Sequence, residues 1–141
     1  MSSQQSSQMI LVVDDEQAVC ETIALTLRSR GYVVHTAYDG SDALRRLENV
    51  RLDLIISDLN MPGMSGFELI STIRLRFPGI PIVAMSAAYV SDCLPGNFSA
   101  FYAKGQGPQQ LLSVVDELLS RQLNPGMEGG KRRLRRGRPA A

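Results

Sequence analysis

Five strand-sized apolar blocks alternate along this chain with segments of helical periodicity, and four of the five end abruptly in a polar side chain with chemical potential. The first block, Met9–Val13, is continuously apolar, as suits a strand buried on both faces, and stops at Asp14-Asp15. Val19, Ile23 and Leu27 then recur at a spacing of four and are closed by Arg28, Arg30 and Gly31, a helix with its stop signal. Residues 32–37 are β-branched and aromatic, and Asp39-Gly40 opens a helix with Ala43, Leu44 and Leu47 on one face. A third strand over 52–57, interrupted by Asp53, ends at Asp58. Ser65 and Glu68 have the spacing of a capping box for a helix that Pro78-Gly79 stops. Strands over 80–85 and 99–103 run into Ser86 and Lys104, and Leu111, Val115 and Leu118 line a last helix reaching about Gln122. Strict alternation with short connections predicts five βα units in an α/β, doubly wound parallel sheet, because parallel neighbours need right-handed crossovers.

The 141 residues leave room for one domain and a tail. Hydrophobic residues at 44% and charged residues at 21% are ordinary globular values, which excludes a disordered, collagen-like or coiled-coil chain. No apolar run approaches the ~20 residues of a membrane span. Residues 1–8, rich in Ser and Gln, lack the charged start and apolar core of a secretory signal, so the expectation is a cytoplasmic protein with a disordered N-terminus. Cys20 and Cys93 lack any C-x-x-C spacing and are expected to be reduced structural thiols. The net charge of +1 hides a division, since residues 124–141 carry six basic side chains and one acid. That segment stands at +5 and residues 1–123 at −4. With six Gly and Pro residues and only Met127 and Leu134 as larger apolar ones, it has too little to pack, and 123–141 is expected to be a flexible basic tail behind a domain spanning 9–122.

In an open parallel sheet ligands bind at the carboxyl ends of the strands, where the strand order reverses. Asp14, Asp15, Asp58, Ser86 and Lys104 all follow apolar runs directly and are expected to converge there. Two carboxylates ~4 Å apart repel by about 4 kcal/mol at an effective dielectric near 20, so such a gathering calls for a cation. All-oxygen ligands with room for water suit Mg²⁺. A metal-bound carboxylate beside a lysine and a hydroxyl has the parts needed to accept a phosphoryl group. Asp58, alone at the end of the central strand, is the best nucleophile candidate, and the Asp14-Asp15 pair is better placed to hold metal. Neither placement is decisive by itself.

These residues resemble the receiver domains of bacterial two-component response regulators, single-domain CheY-like receivers in particular. The carriers are I-L-V-V-D-D-E with Asp14-Asp15, D-L-N-M-P-G-M-S-G from Asp58 to Gly66, I-V-A-M-S-A with Ser86, and F-Y-A-K with Lys104. The resemblance implies a flavodoxin-like fold of strand order 2-1-3-4-5 and phosphotransfer to Asp58 from a sensor histidine kinase or a phosphotransfer protein. It also implies that Asp15, Asp58 and the backbone carbonyl of Asn60 bind Mg²⁺, with Asp14 acting through water. Ser86 and Lys104 then contact the phosphoryl group, and Ser86 and Phe101 occupy the switch positions. Two features depart from the family pattern. Gly105 follows the lysine where proline in a cis peptide is usual, and only 17 residues separate Ser86 from Lys104, which predicts a shortened fourth helix region.

Plainer readings stand beside these. An isolated acidic pair most often caps a helix, a lone Ser or Lys most often ends a strand, and Phe101 is more often core than switch. His35 reads as structural, Met61 and Met64 as packing around a turn, and Tyr89 as either a gate to Asp58 or an exposed loop aromatic. The basic tail reads first as a solubilising segment and second as an arm for nucleic acid or an anionic surface. The leading expectation is a stand-alone receiver that passes its state to a downstream protein target and is no enzyme beyond its own phosphorylation and dephosphorylation. A phosphorylation-independent interaction module of the same shape is the alternative. A Mg²⁺-dependent phosphohydrolase is disfavoured, because the second acid such enzymes need two residues after the nucleophile is here Asn60.

Overall fold

The computed structural model describes residues 7–87 and 98–123. Their elements run β1 (Met9–Val13), α1 (Gln17–Ser29), β2 (Val33–Ala37), α2 (Gly40–Asn49), β3 (Leu54–Asp58), α3 (Gly66–Arg76), β4 (Ile82–Ser86), β5 (Ala100–Ala103) and α4 (Pro108–Leu123). The five strands form one parallel sheet of order β2-β1-β3-β4-β5, the flavodoxin-like arrangement. Four helices are present among the described residues. The expected shortened fourth helix region between β4 and β5 lies mostly outside them, as do Tyr89, Cys93 and the basic tail.

Side chains alternate across the sheet and build two apolar layers. Ile10, Val12, Leu54, Ile56, Val83 and Met85 pack beneath α1 and α4, while Leu11, Val13, Ile55, Ile82 and Ala84 pack beneath α2 and α3. All of these strand residues are fully buried, and each one larger than alanine contributes roughly 1.5–3 kcal/mol. Because β1, β3 and β4 are covered on both faces, their near-continuous hydrophobic sequence is a physical requirement.

Local signals fix the element ends. Gly31, at φ +104°, lets the chain leave α1, and its N–H donates to the Arg28 carbonyl at 2.9 Å. Asp39 caps α2 by accepting from Asp42 N–H at 2.8 Å. At α3 both halves of the capping box form: Ser65 Oγ accepts from Glu68 N–H and Glu68 Oε1 from Ser65 N–H, each at 3.2 Å. Several strands shift by one or two residues from their expected bounds. The third begins at Leu54, not 52, because the Asp53 carboxylate turns back to accept the Met9 N–H at 2.8 Å. The fourth runs from Ile82 through Ser86, the second starts at Val33 and the fifth at Ala100. Gln8, assigned from sequence to the N-terminal extension, has its carbonyl bonded to Val33 N–H at 3.0 Å.

The chain turns from β1 to β2 on one side and to β3 on the other, so the topological switch point falls between β1 and β3. Asp14 and Asp58 stand at its two lips.

Candidate functional site

Asp14 leaves the end of β1 fully buried and is held by two backbone bonds. Its N–H donates to Ala37 O at 3.1 Å, and its Oδ1 accepts from Glu16 N–H at 2.9 Å. The helix-cap reading of this acid is therefore half right: Asp14 serves the amide just ahead of α1, while its second oxygen faces elsewhere. Asp15, next in sequence, points to solvent. Asp58, the last residue of β3, is 3% exposed. Its Oδ1 accepts from Asn60 N–H at 3.1 Å and its Oδ2 from Lys104 Nζ at 3.0 Å.

Lys104 follows the end of β5 and reaches over the sheet edge to both buried acids. Its Nζ lies 2.8 Å from Asp14 Oδ2, 3.0 Å from Asp58 Oδ2 and 3.7 Å from Glu16 Oε1. The contact with Asp14 Oδ2 is an ion pair, and among the described residues this buried oxygen has no donor besides that shared ammonium. Burial pushes the Asp58 carboxyl above the usual carboxylate range, assisted by the Asp14 charge and opposed by the Asn60 amide and Lys104. For Lys104 burial alone favours the neutral amine, but the hydrogen bonds and charges of Asp14 and Asp58 outweigh it and hold the ammonium above its ordinary pKa.

Carboxylate oxygens of Asp14, Asp15 and Asp58 lie within 4.8 Å of one another. One ammonium cannot balance three acids, and Asp14 Oδ2, which shares that ammonium with Asp58, keeps acceptor capacity for a cation or its water. This hard-oxygen set, half buried and open on the Asp15 side, fits Mg²⁺. Ser86, at the end of β4, is buried, and its Oγ accepts from Asn60 Nδ2 at 2.9 Å. All five expected strand-end residues thus meet at one rim, with Asn60 joining β3 to β4. Phe101 is half-buried against the layer of α2 and α3, as a packing side chain. Met61 is buried and Met64 packs against the same layer, as expected of turn packing. His35 is half-buried on β2, and its Nε2 has no hydrogen-bond partner.

Two contributors escape the sequence reading. Glu16 is the third acid after β1 and reaches Lys104; its signal was its place in D-D-E. Gly66 opens α3 so close to β3 that a Cβ there would lie 2.0 Å from Asp58 O and 2.4 Å from Leu59 Cα. A glycine immediately after a helix-capping serine hints at such an approach, but only the fold shows what it approaches.

The family model of the response regulator receiver domain matches residues 10–116. The chain belongs to the response regulator receiver family. Among curated relatives of this receiver is the transcriptional regulatory protein GlrR of Escherichia coli, 35% identical over 115 residues that cover 78% of this chain and 26% of that protein. The receiver thus spans about a quarter of that relative's length. Among solved structures, the response regulator TrrA of Thermotoga maritima in complex with Mg²⁺-BeF is 33% identical at a TM-score of 0.74, covering 79% of this chain and 98% of that one. TrrA has also been solved in complex with the histidine kinase ThkA, with the same identity, TM-score and coverage.

Proposed function

We propose that this receiver accepts a phosphoryl group on Asp58 from a sensor histidine kinase or a phosphotransfer protein, in Mg²⁺-dependent phosphorelay signalling, and passes the resulting state to a protein target. One observation carries the reading: a buried carboxylate at the end of the central strand, bonded to an ammonium and within 4.8 Å of two further acids. The ThkA complex of TrrA supports a kinase as donor. Asp15, Asp58 and the backbone carbonyl of Asn60 would hold Mg²⁺, with Asp14 acting through water. When bound, the ion neutralises charge on the phosphoryl oxygens.

The rest falls to the chain. A carboxylate oxygen of Asp58 attacks phosphorus in line, an O–P bond forms, and the donor's bond to phosphorus breaks with its electron pair leaving on the donor. Asn60 N–H, bonded to Oδ1, orients the carboxylate. Lys104, freed from Asp58 as the acyl phosphate forms, pairs with a phosphoryl oxygen, and the Ser86 hydroxyl, at the end of the adjacent strand, donates to another. Hydrolysis at the same site returns the free carboxylate, so the activity concerns the protein itself and it is not an enzyme with a released substrate. A free buried thiol, Cys20, agrees with a cytoplasmic location, and no described helix is long and apolar enough to cross a membrane.

The test is incubation with acetyl phosphate and Mg²⁺ followed by intact mass. The wild-type chain should gain one phosphoryl group and Asp58→Asn none, and chelation of Mg²⁺ should suppress the gain. A folded wild-type chain that gains nothing makes the phosphorylation-independent module the better reading.

A further inference from the structure

Lys104 has to hold its ammonium between two acids, yet its backbone lies beyond the last strand, at a point where the sequence supplies no rigid residue. It occupies the second position of a turn whose third residue, Gly105, has φ +96°, the pattern of a type II turn. Glycine accepts that angle freely and fixes nothing by itself. Constraint comes from two sides. Toward β4, Lys104 N–H donates to Ser86 O at 2.9 Å. On the opposite side Gln106 bonds Ala103 twice: its N–H donates to Ala103 O at 3.1 Å, and its side-chain Oε1 accepts from Ala103 N–H at 3.0 Å.

Successive residues of an edge strand direct their backbone groups alternately toward the sheet and away from it. Lys104 N–H faces β4, so the amide and carbonyl of Ala103 face outward, where a sixth strand would lie. Gln106 takes that place with one backbone donor and one side-chain acceptor. The Ala103–Lys104 peptide is thereby pinned from both sides, although the following residue is glycine and no cis peptide is present among the described residues.

We propose that Gln106 is a positioning residue for phosphotransfer, its side-chain carbonyl fixing the Ala103–Lys104 backbone and so aiming the Lys104 ammonium at Asp58. The proposal rests on the phosphoacceptor reading. Gln106 is exposed and touches neither acid, so it acts only through Lys104. Since an error of about 1 Å in a reacting group can cost 100-fold, loosening one bond of this turn is expected to slow phosphorylation by roughly three- to tenfold.

The experiment measures the rate of phosphorylation by acetyl phosphate at saturating Mg²⁺, together with Mg²⁺ affinity by calorimetry, for the wild type and three variants. Gln106→Ala and Gln106→Met, which lack the acceptor, should be slowed. Gln106→Glu, which keeps a carbonyl-type oxygen at the same reach, should retain the wild-type rate at physiological salt. Mg²⁺ affinity should be undiminished in all three, because the metal-holding acids are on other loops. Wild-type rates in Gln106→Ala overturn the proposal. So does slowing accompanied by weakened Mg²⁺ binding, which marks general damage to the rim, and so does a Gln106→Glu variant as slow as Gln106→Ala. A folded wild-type chain that takes no phosphoryl group overturns the phosphoacceptor reading, and this role with it.

Discussion

Asp58 is ionised at a cost. Its carboxyl is held above the ordinary range chiefly by burial, so the folded chain binds this proton more tightly than the unfolded chain does. With a raised folded pKa, stability is complete below the unfolded pKa and is lost as pH rises through the folded one. Without metal, Asp58→Asn should therefore melt above the wild type at pH 7, and the gap should close as pH falls toward about 4. A gap that widens in acid would show that Lys104 more than compensates for burial. Cys20 behaves in the same sense at the other end of the scale. Burial, then the charges of Asp14 and Glu21, push its thiol up to about 11, and its Sγ lies 3.5 Å from Val12 O. From the reference value of 9.0 this is about a 100-fold loss of thiolate, so alkylation at pH 8 should be slower in the native than in the urea-unfolded chain by at least that factor. Stability owed to this proton is intact below 9.0 and declines on the way to about 11, by roughly 3 kcal/mol. Denaturant titrations of Cys20→Ala beside the wild type across that window measure it.

At the scale of elements, the contact between α3 and β3 is the tightest point near the site. Gly66→Ala places a methyl carbon against the Asp58 carbonyl and Leu59 Cα, backbone atoms that cannot swing aside. Its expected cost is about 3 kcal/mol, and the displaced Asp58 should also lose its phosphorylation. Ser65→Ala, one residue earlier, removes a cap without crowding and should cost only ~1 kcal/mol, with phosphorylation preserved. Denaturant midpoints and intact mass on the two variants separate crowding from capping. The existence and order of these elements were legible because β1 and most of β3 and β4 are solid apolar runs and because Gly31, Asp39 and the Ser65–Glu68 box punctuate the first three helices. Their bounds were less so. Asp53 belongs to β1 by its hydrogen bond and to β3 by sequence, and Ser86 ends β4 because Ala103 pairs with it across the sheet. The convergence of Asp14, Asp58 and Lys104 followed from strand ends alone. The roles of Glu16, Gly66 and Gln106 did not, since each depends on what the fold sets beside it and not on its neighbours in the chain.

Across the whole molecule, charge is unevenly distributed along the sequence. The acidic rim, the two apolar layers and all described elements lie within 7–123, whereas the concentrated positive charge lies in 124–141. Deleting 124–141 should leave the melting temperature within about 1 °C, since a segment with only Met127 and Leu134 as larger apolar residues has little to contribute to a core. If the basic segment acts as an arm for nucleic acid, low-salt retention on DNA cellulose should fall on deletion and the salt dependence should flatten. Unchanged retention leaves the segment a solubilising role alone. A clasp made by Asp116 with Arg30 and Tyr32 ties α4 to the turn between α1 and β2, so the last helix is secured by its own contacts.

An open sheet has two exposed rims, and each of them here is met by a side chain. Arg28 Nη2 donates to the outward carbonyl of Val34 on β2 at 2.7 Å, and Gln106 occupies the outward groups of Ala103 on β5. Stray chains looking for a strand to lengthen find these rims partly taken, which guards the protein against edge-to-edge aggregation and fibril growth at high concentration.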